Sequence, residues 1–120
     1  TPHQALCHLN DWFLAVLGER PLNIRPPTLK TRVIRFIAFT SPMSWPKGVQ
    51  TSKRLDAEQE GTPPGEFEDD MARLRNLMAR FVKSDVDSLN PHYKWGTLSR
   101  GVWGRYGYRH MDHHLRQFGA

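Results

Sequence analysis

Three of the six histidines in this 120-residue chain, His110, His113 and His114, fall within five consecutive positions. On a helix, residues four apart lie one turn above each other, so His110 and His114 can present two imidazoles to one ion. His113, three from His110, is the possible substitute, and Asp112 falls on a different face. By itself an H-x-x-x-H pair is a weak signal, because solvent-facing or stacked histidines share that spacing. His8 supplies a third imidazole from a separate apolar segment, one turn from Trp12. In a bundle, one histidine from one helix and two from another can converge on a metal site with an open position. The plainer reading of a lone helical histidine is structural.

Around these residues the sequence offers few other reactive groups. Cys7 is the only cysteine, which excludes an internal disulfide framework and any Cys-rich zinc module. It points about a quarter-turn from His8 on a helix and reads as a small, partly buried side chain. Asp11 can orient an imidazole, although a solvated face is its simpler role. His3 and His92 have no partner at useful spacing and read as structural. No residue stands out as a general base. The chain contains no G-x-x-x-x-G-K-[ST], G-x-S-x-G, H-E-x-x-H or C-x-x-C motif, so nucleotide hydrolysis, serine hydrolysis and standard zinc proteolysis lose support.

The elements that must carry the histidines are mostly helical. Thr1 with Gln4 matches a capping box, Pro2 occupies the favoured first position, and Ala5, Leu6, Leu9, Trp12, Phe13, Val16 and Leu17 recur at helical spacing before Gly18. Residues 19–27 form a proline-rich connector. Thr28 can cap a second, shorter helix through Leu29, Val33, Ile34, Phe36 and Ile37, with the β-branched residues keeping a strand open. From 41 to 65, prolines and glycines dissolve the pattern into a long irregular loop that is either mobile or functional. Phe67, Met71, Leu74, Met78 and Phe81 then mark a third helix, acidic at its start and basic at its end. Ser99 can cap a final helix reaching about Phe118. Gly101, Gly104 and Gly107 each cost that helix about 1 kcal/mol, and imply either a close neighbour or ligand along it or a frayed first turn. No internal repeat is present.

Length and composition bound the class. A mass of 13.9 kDa with 38% hydrophobic residues fits one domain over 1–120 with a compact core. No apolar run approaches a membrane span and nothing resembles a signal peptide, so a soluble cytoplasmic protein without membrane contact is the expectation. The chain opens at Thr1 rather than Met, which leaves an upstream segment open. A net charge of +5 raises the question of nucleic acid. However, residues 20–54 hold eight basic side chains and no acidic one, while residues 55–70 hold seven acidic and no basic. Two such blocks can pair with each other. Tyr93, Trp95, Trp103, Tyr106 and Tyr108 interleave with Lys94, Arg100, Arg105 and Arg109, a mixture that can stack bases but that an aromatic core flanked by solvated cations explains better.

Two stretches carry a family resemblance. The segment from Gln4 to Trp12, QALCHLNDW, looks like the ligand helix of DinB/YfiT-like proteins, and Tyr108 to Phe118, YRHMDHHLRQF, resembles their last-helix motif, H-x-x-H-H ending in Gln. Gly61 to Phe67, and Leu98-Ser99 through Trp103-Gly104, are similar to an uncharacterised branch of that superfamily. The resemblance implies an all-α, four-helix bundle in which His8, His110 and His114 bind a divalent metal, nickel or zinc. It also implies an activity of the metal-dependent hydrolase or thiol S-transferase type on a small molecule, although many members have no known activity. The family usually has a full helix before the first histidine-bearing one, and this chain begins at that second helix. Completion by an upstream segment, by the Thr28 to Phe39 helix or by another subunit stays open, and a homodimer is the expectation. The alternative function is a non-catalytic helical module that binds nucleic acid or another protein.

Overall fold

The protein is represented by a computed structural model that describes residues 1–21, 28–42, 45, 53–85, 89 and 98–119. Among these, four α-helices and one 3-10 turn make up the regular structure, with no strand: α1 (Pro2–Val16), α2 (Leu29–Thr40), the turn Lys53–Leu55, α3 (Phe67–Lys83) and α4 (Arg100–Gln117). The chain is all-α over these residues. No helix among them is long and apolar enough to cross a membrane. Two compact units divide it: Thr1–Leu22 with Gln50–Asn90, and Asn23–Val49 with Pro91–Ala120.

In the first unit, α1 begins at the Thr1–Gln4 capping box and ends in a Schellman motif. The Glu19 amide donates to the Leu14 carbonyl at 2.8 Å, and the Gly18 amide donates to Ala15 at 3.1 Å. Gly18 adopts φ of 82°, which a side chain would resist. From Leu6 to Phe13 every residue of α1 is buried, so this helix lies inside its surroundings rather than on a surface. It packs on α3 through Trp12, Phe13 and Phe81, whose rings meet at centroid distances of 4.8 to 6.1 Å. Burying Phe13, Leu74 and Leu77 contributes about 1.5–3 kcal/mol each.

The inward line of α3 differs from its apolar spacing. Phe67 and Met78 are exposed, while Asp70, Leu74 and Leu77 are buried. The reason is polar. Asp70 takes hydrogen bonds from α1 and from the Gly65 amide, and this rotates Phe67 outward, where its ring edge meets His3. The 41–65 stretch is also more ordered in its second half than its composition implies. Leu55 is fully buried, and the chain turns back between Asp56 and Gly61 with a 2.8 Å backbone bond. A Cβ on Gly61 would stand 2.6 Å from the Asp56 carbonyl, so only glycine closes that turn.

In the second unit, Thr28 caps α2 with a reciprocal Thr31 bond, which resolves the helix-or-strand ambiguity in favour of helix. Ser99 caps α4, which is regular from Arg100 rather than frayed. A Cβ on Gly101 or Gly104 would meet nothing within 4 Å, so among the described residues neither glycine admits a close neighbour. α2 and α4 meet where Phe39 packs edge-on against Tyr106 at 5.6 Å. Arg105 and Arg109 of α4 donate to the carbonyls of Phe39 and Ala38, compensating the negative C-terminal end of α2.

Candidate metal centre

α4 places His110, His113 and His114 on adjoining turns. The Nε2 atoms of His110 and His114 are 3.1 Å apart, and the His110 ring is buried behind Tyr106. Two nitrogens at that separation can both stand about 2.1 Å from one ion. The ring of His114 is held from its other side, where Nδ1–H donates to Oε1 of Gln117 at 2.9 Å. With Nδ1 protonated, Nε2 of His114 keeps its lone pair and faces His110. The same Gln117 amide donates from Nε2 to Nε2 of His113 at 3.2 Å, which engages that lone pair, while the His113 ring stands edge-on to His114 at 5.3 Å and 6.1 Å from Trp45 between ring centroids.

His8 belongs to the first unit. Its Nδ1–H donates to the Leu55 carbonyl at 2.9 Å, so its Nε2 likewise carries the lone pair. A backbone carbonyl on one imidazole nitrogen is the usual partner of a histidine that ligates through the other. The buried Leu55 side chain anchors that carbonyl, so the tautomer of His8 is set by the Lys53–Leu55 turn, which spans the basic-to-acidic boundary of the sequence.

Three expectations are corrected. Asp11 is not on a solvated face: it is 1% exposed, accepts from the Thr62 amide and hydroxyl at 2.7 Å each, and pairs with Arg20 at 3.2 Å. It ties α1 to the 56–62 turn rather than orienting an imidazole. Cys7 is fully rather than partly buried, and desolvation, reinforced by Asp70, pushes its thiol up to about 11. His3 does have a partner, Asp70 Oδ2 at 2.8 Å, and this bond is the chief reason that carboxyl is held below its ordinary value. Sixty-seven residues separate the two, and no local pattern announces the pairing.

Among the aromatics, Trp103 and Tyr106 are core residues, while Tyr108 is exposed. Arg105 and Arg109 are engaged with α2 carbonyls, so the described part of the proposed stacking surface is largely committed to the fold. His92, Tyr93, Lys94 and Trp95 lie outside the described residues. No family model, curated protein or solved structure matches this chain.

Proposed function

We propose that this chain binds a divalent metal ion of the nickel or zinc class through His8, His110 and His114, as a DinB/YfiT-like protein. The observation that carries the reading is the His110–His114 pair, with two Nε2 atoms 3.1 Å apart and the outer nitrogen of His114 occupied by Gln117. His8 joins the set on the resemblance of its helix and on a tautomer that places the lone pair on Nε2. Three neutral imidazoles suit a borderline ion better than magnesium or calcium, which take oxygen ligands. An ion so held keeps most of its charge and supplies Lewis-acid activation of a water or thiol near neutral pH. The substrate class is then a small molecule undergoing hydrolysis or thiol S-transfer.

The same reading has two copies of the chain associate. Leu29, Val33, Phe36 and Ile37 stand exposed along one flank of α2. A single self-complementary patch of this kind closes as a symmetric dimer.

Imidazole 15N NMR during zinc titration tests the ligand set. The Nε2 resonances of His8, His110 and His114 are expected to move together and saturate together. Movement of His110 and His114 with His8 unchanged defeats the three-histidine set, and no movement in any of them defeats the metal reading.

A further inference from the structure

A second group of donors lies in the first unit, where α1 meets the start of α3. A ring nitrogen of His3, Sγ of Cys7 and a carboxylate oxygen of Asp70 all lie within 4.8 Å of one another. His3 and Cys7 are four apart, so α1 offers both from one face. The nitrogen is 2.8 Å and the sulfur 3.6 Å from Asp70 Oδ2. Ligands held about 2.0–2.1 Å (nitrogen, oxygen) and about 2.3 Å (sulfur) from a zinc-class ion stand at similar separations from each other. Cys7 and Asp70 are buried, while the His3 side chain is 23% exposed and leaves the group a side toward solvent.

A separate observation bears on the same corner. Asn10, one turn beyond Cys7, is buried and gives its Nδ2–H to the Asp70 backbone carbonyl at 3.0 Å, while its Oδ1 takes no hydrogen bond. Since Oδ1 and Nδ2 share one carboxamide, a buried acceptor without a donor sits beside Asp70. Leaving such an atom unsatisfied is costly, and a water or a cation at this corner would relieve it.

We propose that His3, Cys7 and Asp70 form a metal site of their own, taking a borderline-soft divalent ion of the zinc class and cross-linking α1 to α3. This site shares no residue with the His8, His110 and His114 set and does not depend on it. On loading, the Sγ–H bond of Cys7 breaks, its proton passes to solvent, and a sulfur–metal bond forms. His3 gives up the Nε2 proton that it donates to Asp70, takes one from solvent on Nδ1, and contributes the Nε2 lone pair so exposed, while Asp70 enters as the carboxylate it already is. No electron changes hands. The thiolate selects against magnesium and calcium. Without the ion the three groups remain a hydrogen-bonded lock.

Cobalt(II) separates the two sites, because only a sulfur ligand gives a thiolate-to-cobalt charge-transfer band in the near ultraviolet. The full metal-free chain, kept reduced and anaerobic, is titrated with cobalt chloride. The band is expected to appear and level off by two equivalents, to persist in His110→Ala, and to vanish in Cys7→Ser. It should also weaken in His3→Gln and in Asp70→Asn, which keep the thiol and settle the matter if Cys7→Ser fails to fold. A wild-type chain with no band overturns the site, as does a band undiminished in both His3→Gln and Asp70→Asn. A band lost in His110→Ala overturns its independence.

Discussion

His114 and Gln117 face each other one turn apart on α4, with the imidazole Nδ1–H donated to the amide oxygen at 2.9 Å. The other end of that amide donates to His113. One glutamine therefore sets the tautomer of His114 and engages Nε2 of His113. The terminal glutamine of the H-x-x-H-H segment has a physical task here, which is orientation.

Gln117→Leu is accordingly expected to weaken divalent-metal affinity by about 10–100-fold, the usual cost of losing a residue that orients a ligand. Calorimetric titration against wild type measures it, with circular dichroism showing that α4 is retained. Unchanged affinity would mean that His114 needs no orientation.

Asp11 is buried, paired with a part-exposed Arg20 and held by two hydrogen bonds from Thr62. Asp11→Ala takes the carboxylate from the Thr62 amide and hydroxyl and from Arg20, which keeps the Arg54 and Glu60 carbonyls, and should cost about 2–3 kcal/mol of stability. Thr62→Val, which removes the hydroxyl bond to Asp11 and the longer one from Arg20 and keeps the shape, should cost about 1–2 kcal/mol. Urea unfolding gives both values. A loss below about 1 kcal/mol for Asp11→Ala would show that solvent replaces the pair.

Acid should act through Asp70. Its carboxyl is held below the ordinary value of 3.8, first by the His3 hydrogen bond and then by the Gly65 amide and Cys7 thiol. A group whose folded pKa is depressed gives stability that is complete above the unfolded value and lost as pH falls through the folded one. In metal-free protein, the stability advantage of wild type over Asp70→Asn is expected to hold above about pH 5 and shrink as pH falls below 3.8. A gap that stays constant down to about pH 2.5 would exclude linkage through this group.

Four large apolar side chains of α2, Leu29, Val33, Phe36 and Ile37, are exposed on one flank. Sedimentation at micromolar concentration should report a dimer, and Phe36→Asp should convert it to monomer. A wild-type monomer would contradict self-association through this face.

Much of the fold was readable because helix ends are local events. Thr1 with Gln4, Thr28 with Thr31, Ser99 with Val102 and Gly18 after Leu17 are contacts between residues a few positions apart, visible as residue types in order. The His110–His114 pair was readable for the same reason, being one turn of one helix. Asp70 and Asp11 were not. Each carries a charge that composition assigns to the surface, and each is buried by partners 51 to 67 residues away. Along the third helix, the apolar spacing that marks the helix includes Phe67 and Met78, which are exposed, whereas Asp70 is buried by its polar contacts. Gln117 was visible as a motif residue, but its role required knowing which imidazole nitrogen it meets.

The central claim is that imidazoles hold a divalent ion, and elemental analysis of protein purified without a polyhistidine tag tests it most directly. Wild type, His110→Ala and Cys7→Ser are compared after identical purification, with His92→Ala as the control outside the ligand set. The account predicts that His110→Ala carries about one equivalent less nickel or zinc than wild type, because two remaining imidazoles bind too weakly to retain the ion. It predicts that His92→Ala matches wild type. Equal metal content in wild type, His8→Ala, His110→Ala and His114→Ala would contradict it.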